Sequence, residues 1–429
     1  MSKHRTRHLI AIGGIAVLGL AACSSSGGTS AGSSSPASST TAPSTVTATG
    51  STIYVGEISP IDEAALAVPE VSMGVRTAVR AINASGGVLG HKVVLVYCND
   101  QDNPTVAGQC ANEMVSKHVV AMVGDFTLFG AVVNPILEKA GIPEIGGVPE
   151  DPSDYKDPNI FLIDGGETAT LGGVALLFKK LGITSIVAPR IDVPATITDL
   201  ATLKKAISSL GISLGQDILV PPTATDFSPY VQAAISSKAE GIYFLLAGAQ
   251  IVPYEQLAVQ LGAQYKIVDG QGTLTNTDIA ELAKPGGPLD NSYLVQSLPP
   301  LTAASQYPGI QTFLSQLNAE HASGDAEATT LQASADTENA WLSTWALEKV
   351  LSAGGSSSGG AVTASSVMKA MQSAQNVSLF GLTPPWTPNK TITGAWPRIS
   401  NPYQYFLVMK NGTSYLSQKA PVDTTSQIQ

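Results

Sequence analysis

The chain has 429 residues, 44% of them hydrophobic, with 33 acidic against 23 basic side chains and a formal net charge of −10. That balance argues against nucleic acid or an acidic membrane surface as partner, since both need a basic face. The length is enough for two domains.

Lys3, Arg5 and Arg7 lead into a twelve-residue apolar stretch, 9–20. This is too short to span a bilayer, and residues 1–22 read as a secretory signal. Leu20-Ala21-Ala22-Cys23 resembles the lipobox of bacterial lipoproteins. The resemblance implies cleavage before Cys23, lipidation of its thiol, and an exported chain anchored on the outer face of the cell membrane. An ordinary signal peptide is the alternative. Residues 23–51 are almost wholly Ser, Thr, Gly, Ala and Pro, which cannot bury enough apolar surface to fold. They form a tether with an r.m.s. reach of roughly 30 Å, and folding is expected from Thr52.

From there β-branched runs alternate with helical periods. Residues 52–58 predict a strand, and 69–85 a helix with Val71, Val75, Ala78, Val79 and Ile82 on one face and Arg76 and Arg80 on the other. Further strands are expected at 92–97, 119–123, 160–163, 185–188, 218–220, 241–246 and 265–268, mostly with helices between them. Such alternation implies α/β architecture with parallel sheets covered by helices, and this many strands imply two sheets. Residues 308–321, 331–351 and 364–375 predict helices, with Trp341 and Trp345 read as core. An alternating run, 403–409, closes on a turn at Asn411-Gly412. In an exported chain Cys98 and Cys110 favour a disulfide, with two buried thiols as the alternative.

Catalytic signatures fail. The pattern G-x-S-x-G occurs at 28–32 and 355–359, in the tether and in a Gly/Ser loop, without the strand-turn-helix setting that the chemistry requires. Gly270-Gln271-Gly272 lacks the third glycine of a dinucleotide loop. His91, His118 and His321 are scattered. No enzyme, cofactor or metal is expected.

Several strings in order, 81–90 (AINASGGVLG), 121–124 (AMVG), 140–143 (AGIP), 226–230 (DFSPY) and 381–385 (GLTPP), are similar to the type I periplasmic binding proteins that deliver branched-chain amino acids and related small molecules to ABC importers. The resemblance implies an α/β fold of two lobes, each a parallel-rich sheet covered by helices, joined by three crossing segments with a ligand cleft between. Lobe one would take 52–166 and 299–377, lobe two 167–298 and 378–422, with 423–429 as a tail. It also implies a monomer whose partners are a small-molecule ligand and the permease subunits of an importer.

By the same resemblance the cleft includes Ser59 and Pro60, Phe126, Thr127 and Leu128 after Val123, and Gly146, Gly147 and Val148. From lobe two come Arg190 to Val193 with Asp192, the turn from Gly248 to Gln250, and Gln271. Amino-acid binders of the family hold the ligand carboxylate with Ser and Thr and the ammonium with an acid. Here Asp125-Phe126-Thr127-Leu128-Phe129 replaces the serine-rich loop, Glu150 falls near the usual hydroxyl, and Gln271 stands where the acid is expected. An unpaired desolvated ammonium costs several kcal/mol, so a neutral or partly apolar ligand is expected instead of a standard amino acid. The phenylalanines could instead pack the lobe, Arg190 could pair with a ligand carboxylate or lie at the surface, and Asp269 restores an acid if the register is one turn out. Sensing through a membrane receptor without transport is the alternative function.

Overall fold

The computed structural model describes residues 48–63, 66–246, 248–354 and 360–429. The expected signal, Cys23, most of the tether and the glycine-serine pattern at 355–359 lie outside them.

In the first lobe β1 (Ile53–Ile58), β2 (Val93–Cys98), β3 (Ala121–Val123), β4 (Glu144–Ile145) and β5 (Ile160–Phe161) form a wholly parallel sheet in the order β2-β1-β3-β4-β5. Between them run α1 (Pro69–Ala84), α2 (Pro104–Ser116) and α3 (Gly130–Ala140). Pro69 suits the first turn of α1, and Val71, Val75, Ala78 and Ile82 are buried as the periodicity predicts. The chain then turns at Gly87, where φ is +78° and a Cβ would fall 2.0 Å from the His91 carbonyl oxygen, so only glycine fits. The strand order reverses beside β1. In an open α/β sheet that places a binding crevice beyond the carboxyl ends of β1 and β3.

The second lobe opens with α4 (Gly166–Lys180), β6 (Ser185–Val187), β7 (Pro189–Ile191) and α5 (Pro194–Ser208), followed by β8 (Ser213–Leu214), β9 (Ile218–Val220) and α6 (Ser228–Ser237). After them come β10 (Gly241–Tyr243), α7 (Gly248–Gln260), β11 (Lys266–Asp269), α8 (Asn276–Leu282) and β12 (Ser292–Gln296). The chain returns to lobe one for α9 (Pro308–Ala322), α10 (Ala335–Ala353) and α11 (Ala364–Ser373). It finishes in lobe two with β13 (Tyr403–Lys410), β14 (Thr413–Leu416), β15 (Val422–Asp423) and α12 (Thr425–Ile428). The larger sheet runs β14-β13-β12-β11-β10-β6-β8, parallel from β12 to β8 and antiparallel at β13 and beyond. The strand at 292–296 escapes sequence reading because Ser292 and Gln296 bound a run in which only Val295 is β-branched.

Two boundaries differ from expectation. Leu379, Leu382 and Trp386, assigned with the second lobe, are apolar and pack into the first lobe's core. Residues 423–429 are no loose tail: Ile428 is buried, and Thr424, Gln427 and Ile428 crowd Gly172 of α4. Trp341 and Trp345 are core residues whose indole N–H groups both donate to Gln316 Oε1, at 2.7 and 3.0 Å.

Cys98 at the end of β2 and Cys110 in α2 are joined by a disulfide, with Cα atoms 5.6 Å apart. A loop of this size restricts the unfolded chain by about 3 kcal/mol. Cys98→Ser is therefore expected to lower the melting temperature by about 5 °C without reductant. Equal melting of the parent with and without reductant would argue against the bond.

Candidate functional site

The crossings meet at Asp164, 1% exposed, whose carboxylate accepts from Ser297 Oγ at 2.6 Å, Asn339 Nδ2 at 2.7 Å and the Gly166 N–H at 2.9 Å. Beside it Trp386 Nε1 donates to the Leu162 carbonyl, and Asn401 Nδ2 to that of Ile163, both at 2.9 Å. These contacts tie all three connections together.

On the lobe-one side Ser59 turns inward and donates to Glu57 Oε1 at 2.9 Å, while Ser72 donates to Oε2 at 3.0 Å. Burial pushes the Glu57 carboxyl up to about 7, moderated by both hydroxyls and Arg76. Pro60 is buried, and its carbonyl accepts the Val68 N–H. Asp125 accepts the Ile58 N–H at 2.7 Å, and its other oxygen has no partner among the described residues. Phe126 is 6% exposed within the lobe-one core and bridges Val148, so it packs the lobe. Thr127 donates to Asp100 at 2.6 Å, and Leu128 packs partly against the core. Gly146, φ +69°, lies against Ser343, with a would-be Cβ 1.8 Å from its Oγ; that hydroxyl also receives the Gly147 N–H at 3.3 Å.

From lobe two, Arg190 is held bidentately by Asp217 at 2.8 and 2.7 Å, which occupies the guanidinium edge that a ligand carboxylate would use. Asp192 is exposed. Gly248 begins α7 against the Thr273 carbonyl, and Gln250 donates to the Pro221 carbonyl at 3.1 Å. Gln271 does reach the cleft: it donates to Asp336 of lobe one at 3.1 Å and accepts from the Ser297 N–H at 2.8 Å. Asp269 is fully buried without a hydrogen-bond partner among the described residues and does not replace it.

Two narrow cavities lie between the lobes, each about 20 Å³, room for one water. One is lined by Pro149, Glu150 and Tyr155 of lobe one, Glu167, Thr168 and Asp199 of lobe two, and Trp396 of the last connection. The Thr168 N–H donates to Tyr155 Oη at 3.3 Å across the lobes, and Tyr243 Oη donates to Glu167 at 2.8 Å. Glu338, Ser334 and Gly272 contribute to the other. Burial, then neighbouring carboxylates, raise Glu150 well above the usual range and Glu167 to about 8; burial raises Asp199 to about 7. A larger cavity of about 500 Å³ lies at the amino ends of β1 and β3, opposite the crevice. Of the acids in the cleft, sequence reading singled out only Glu150; Glu167, Asp199 and Asp336 are remote in sequence and carry no motif.

Residues 52–403 match the sequence profile of the periplasmic binding proteins. The chain belongs to that family. This periplasmic binding protein is 28% identical to a Leu/Ile/Val-binding protein homolog of Brucella melitensis over 242 residues, 54% of this chain and 64% of that one. Several further Brucella homologs match over only 28% of their length. A leucine-binding protein from Thermotoga maritima superposes with a TM-score of 0.68 at 16% identity, over 86% of this chain and 99% of that one. A solute-binding protein from R. palustris, solved in complex with benzoate, gives 0.67 at 16% identity, over 86% and 97%. These likenesses are to the two-lobed type I fold. The relatives are binding proteins and not enzymes, and the family places the chain outside the cytoplasm.

Proposed function

We propose that this protein is an exported solute receptor, lipid-anchored through Cys23, that closes its lobes on a small molecule and delivers it to an ABC importer. The convergence of Glu150 and Tyr155 from one lobe with Glu167 and Asp199 from the other on a shared cavity carries the reading, because hinge closure on a ligand needs contacts from both sides. The ligand is not a standard amino acid. Gln271 is already bonded to Asp336 and Ser297, and Arg190 to Asp217. With those groups engaged, and with Thr127 bonded to Asp100 and Phe126 packed in the core, a ligand carboxylate meets neither a cation in the described lining nor the hydroxyl-rich loop that holds it in the family's amino-acid binders.

A thermal-shift screen of small metabolites, paired with small-angle scattering, tests this. A ligand at about 100 times its Kd is expected to add about 2.7 kcal/mol of stability and to keep the lobes closed. A shift with leucine, isoleucine or valine would sink the exclusion of amino acids. Silence across the whole screen would sink capture itself.

A further inference from the structure

Five hydrogen bonds run from donors in residues 271–277 of lobe two to acceptors in residues 330–336 of lobe one. Asn276 donates through its N–H to the Ala333 carbonyl at 3.1 Å and through Nδ2 to that of Thr330 at 2.9 Å. The Leu331 carbonyl accepts both the Thr277 N–H, at 2.9 Å, and the Thr277 hydroxyl, at 2.8 Å. Gln271 Nε2 donates to Asp336 at 3.1 Å. Its amide orientation follows from the Ser297 N–H, which can only meet the amide oxygen. Gly272 lies against the same carboxylate, where a Cβ would fall 2.1 Å from Asp336 Oδ2.

Each side of this contact is rooted in its own lobe. Leu274 and Ile279 are buried in a lobe-two core, Ala328 and Ala333 in the core of lobe one, and Asp325 pairs with Arg76 of α1 at 2.8 Å. The bonds therefore follow how the two lobes stand relative to each other. They are also breakable. Thr330 and Leu331 are exposed, and Asn276 and Thr277 are half-buried. The N–H groups of 276 and 277 open α8 and have no partner within the helix, so they can pass to water when the lobes part.

We propose that residues 271–277 and 330–336 form a clasp that holds the lobes closed and so sets the affinity of capture. This rests on the capture reading and names a control of the same cleft. Bonds made only in the closed form shift the open–closed equilibrium toward it, and their loss weakens any ligand that the closed form holds.

Asn276→Pro combined with Thr277→Val is the discriminating variant. Position 276 is the first of α8, where proline is favoured, and Thr275 before it is extended, with φ −77° and ψ 166°, as a residue before proline prefers. The change removes both Asn276 bonds and that of the Thr277 hydroxyl, and leaves the Thr275–Asp278 capping box. Small-angle scattering of the purified protein, with no small molecule added, is expected to give a larger radius of gyration for the variant than for the parent, with unchanged circular dichroism. Equal radii for two folded proteins overturn the clasp. Hydrogen exchange in the parent keeps the test open if the variant does not fold: the Asn276 and Thr277 amides are expected to exchange at least about tenfold more slowly than unprotected amides. Unprotected rates at both overturn the clasp. Either failure leaves capture standing, whereas a silent metabolite screen sinks capture and the clasp's role with it.

Discussion

The double replacement Glu255→Gln and Asp269→Asn is expected to stabilise the protein above neutral pH and to flatten its pH dependence. Both side chains are fully buried in lobe two, and none of their four carboxyl oxygens has a hydrogen-bond partner among the described residues. Burial raises Asp269 from 3.8 to about 7; burial, with Asp269 next, raises Glu255 well above its ordinary value. A raised acid binds protons more tightly folded than unfolded. Its contribution is complete below the unfolded value and is lost as pH climbs through the folded one. For Asp269 that window runs from 3.8 to about 7, and the loss is at most about 4 kcal/mol. Glu57, raised to about 7, acts in the same direction. Urea unfolding at pH about 5 and about 8 measures this. A parent protein equally stable at both would contradict the account.

Asp164→Ala is expected to cost about 3 to 5 kcal/mol and to weaken ligand binding. The substitution strands three donors, from Ser297, Asn339 and Gly166, in a site shut off from solvent. Because those donors sit on two of the crossings and on α10, the loss loosens the hinge as well as the fold. Asp164→Asn keeps the shape and one acceptor, so it should cost less. A stability for Asp164→Ala within about 1 kcal/mol of the parent would show that the crossings do not depend on this residue.

Much of the fold was legible because it follows from local rules. The helix at 69–85 and the strand at 52–58 were within a residue or so of the observed bounds, since apolar periodicity, Pro69 and Gly87 act over one or two turns. The pairing of Cys98 with Cys110 needed only an exported chain and a strand followed by a helix. Of the site the structure shows only contacts: Gln271 bonds Asp336 of the other lobe, whereas Phe126 lies in the lobe-one core and Gln250 bonds the Pro221 carbonyl.

The sequence by itself determined the class of the molecule: an acidic α/β chain of alternating strands and helices that matches the periplasmic binding proteins. These properties are summed along the chain or repeat within short windows. Only the tertiary structure decided that residues as distant as Glu150, Glu167 and Asp199 line one cavity, that Asp217 neutralises Arg190, and that residues 379–386 belong to the first core. Such pairings depend on how two sheets are joined at three crossings, and a charge carries no local mark of the partner it will meet across them.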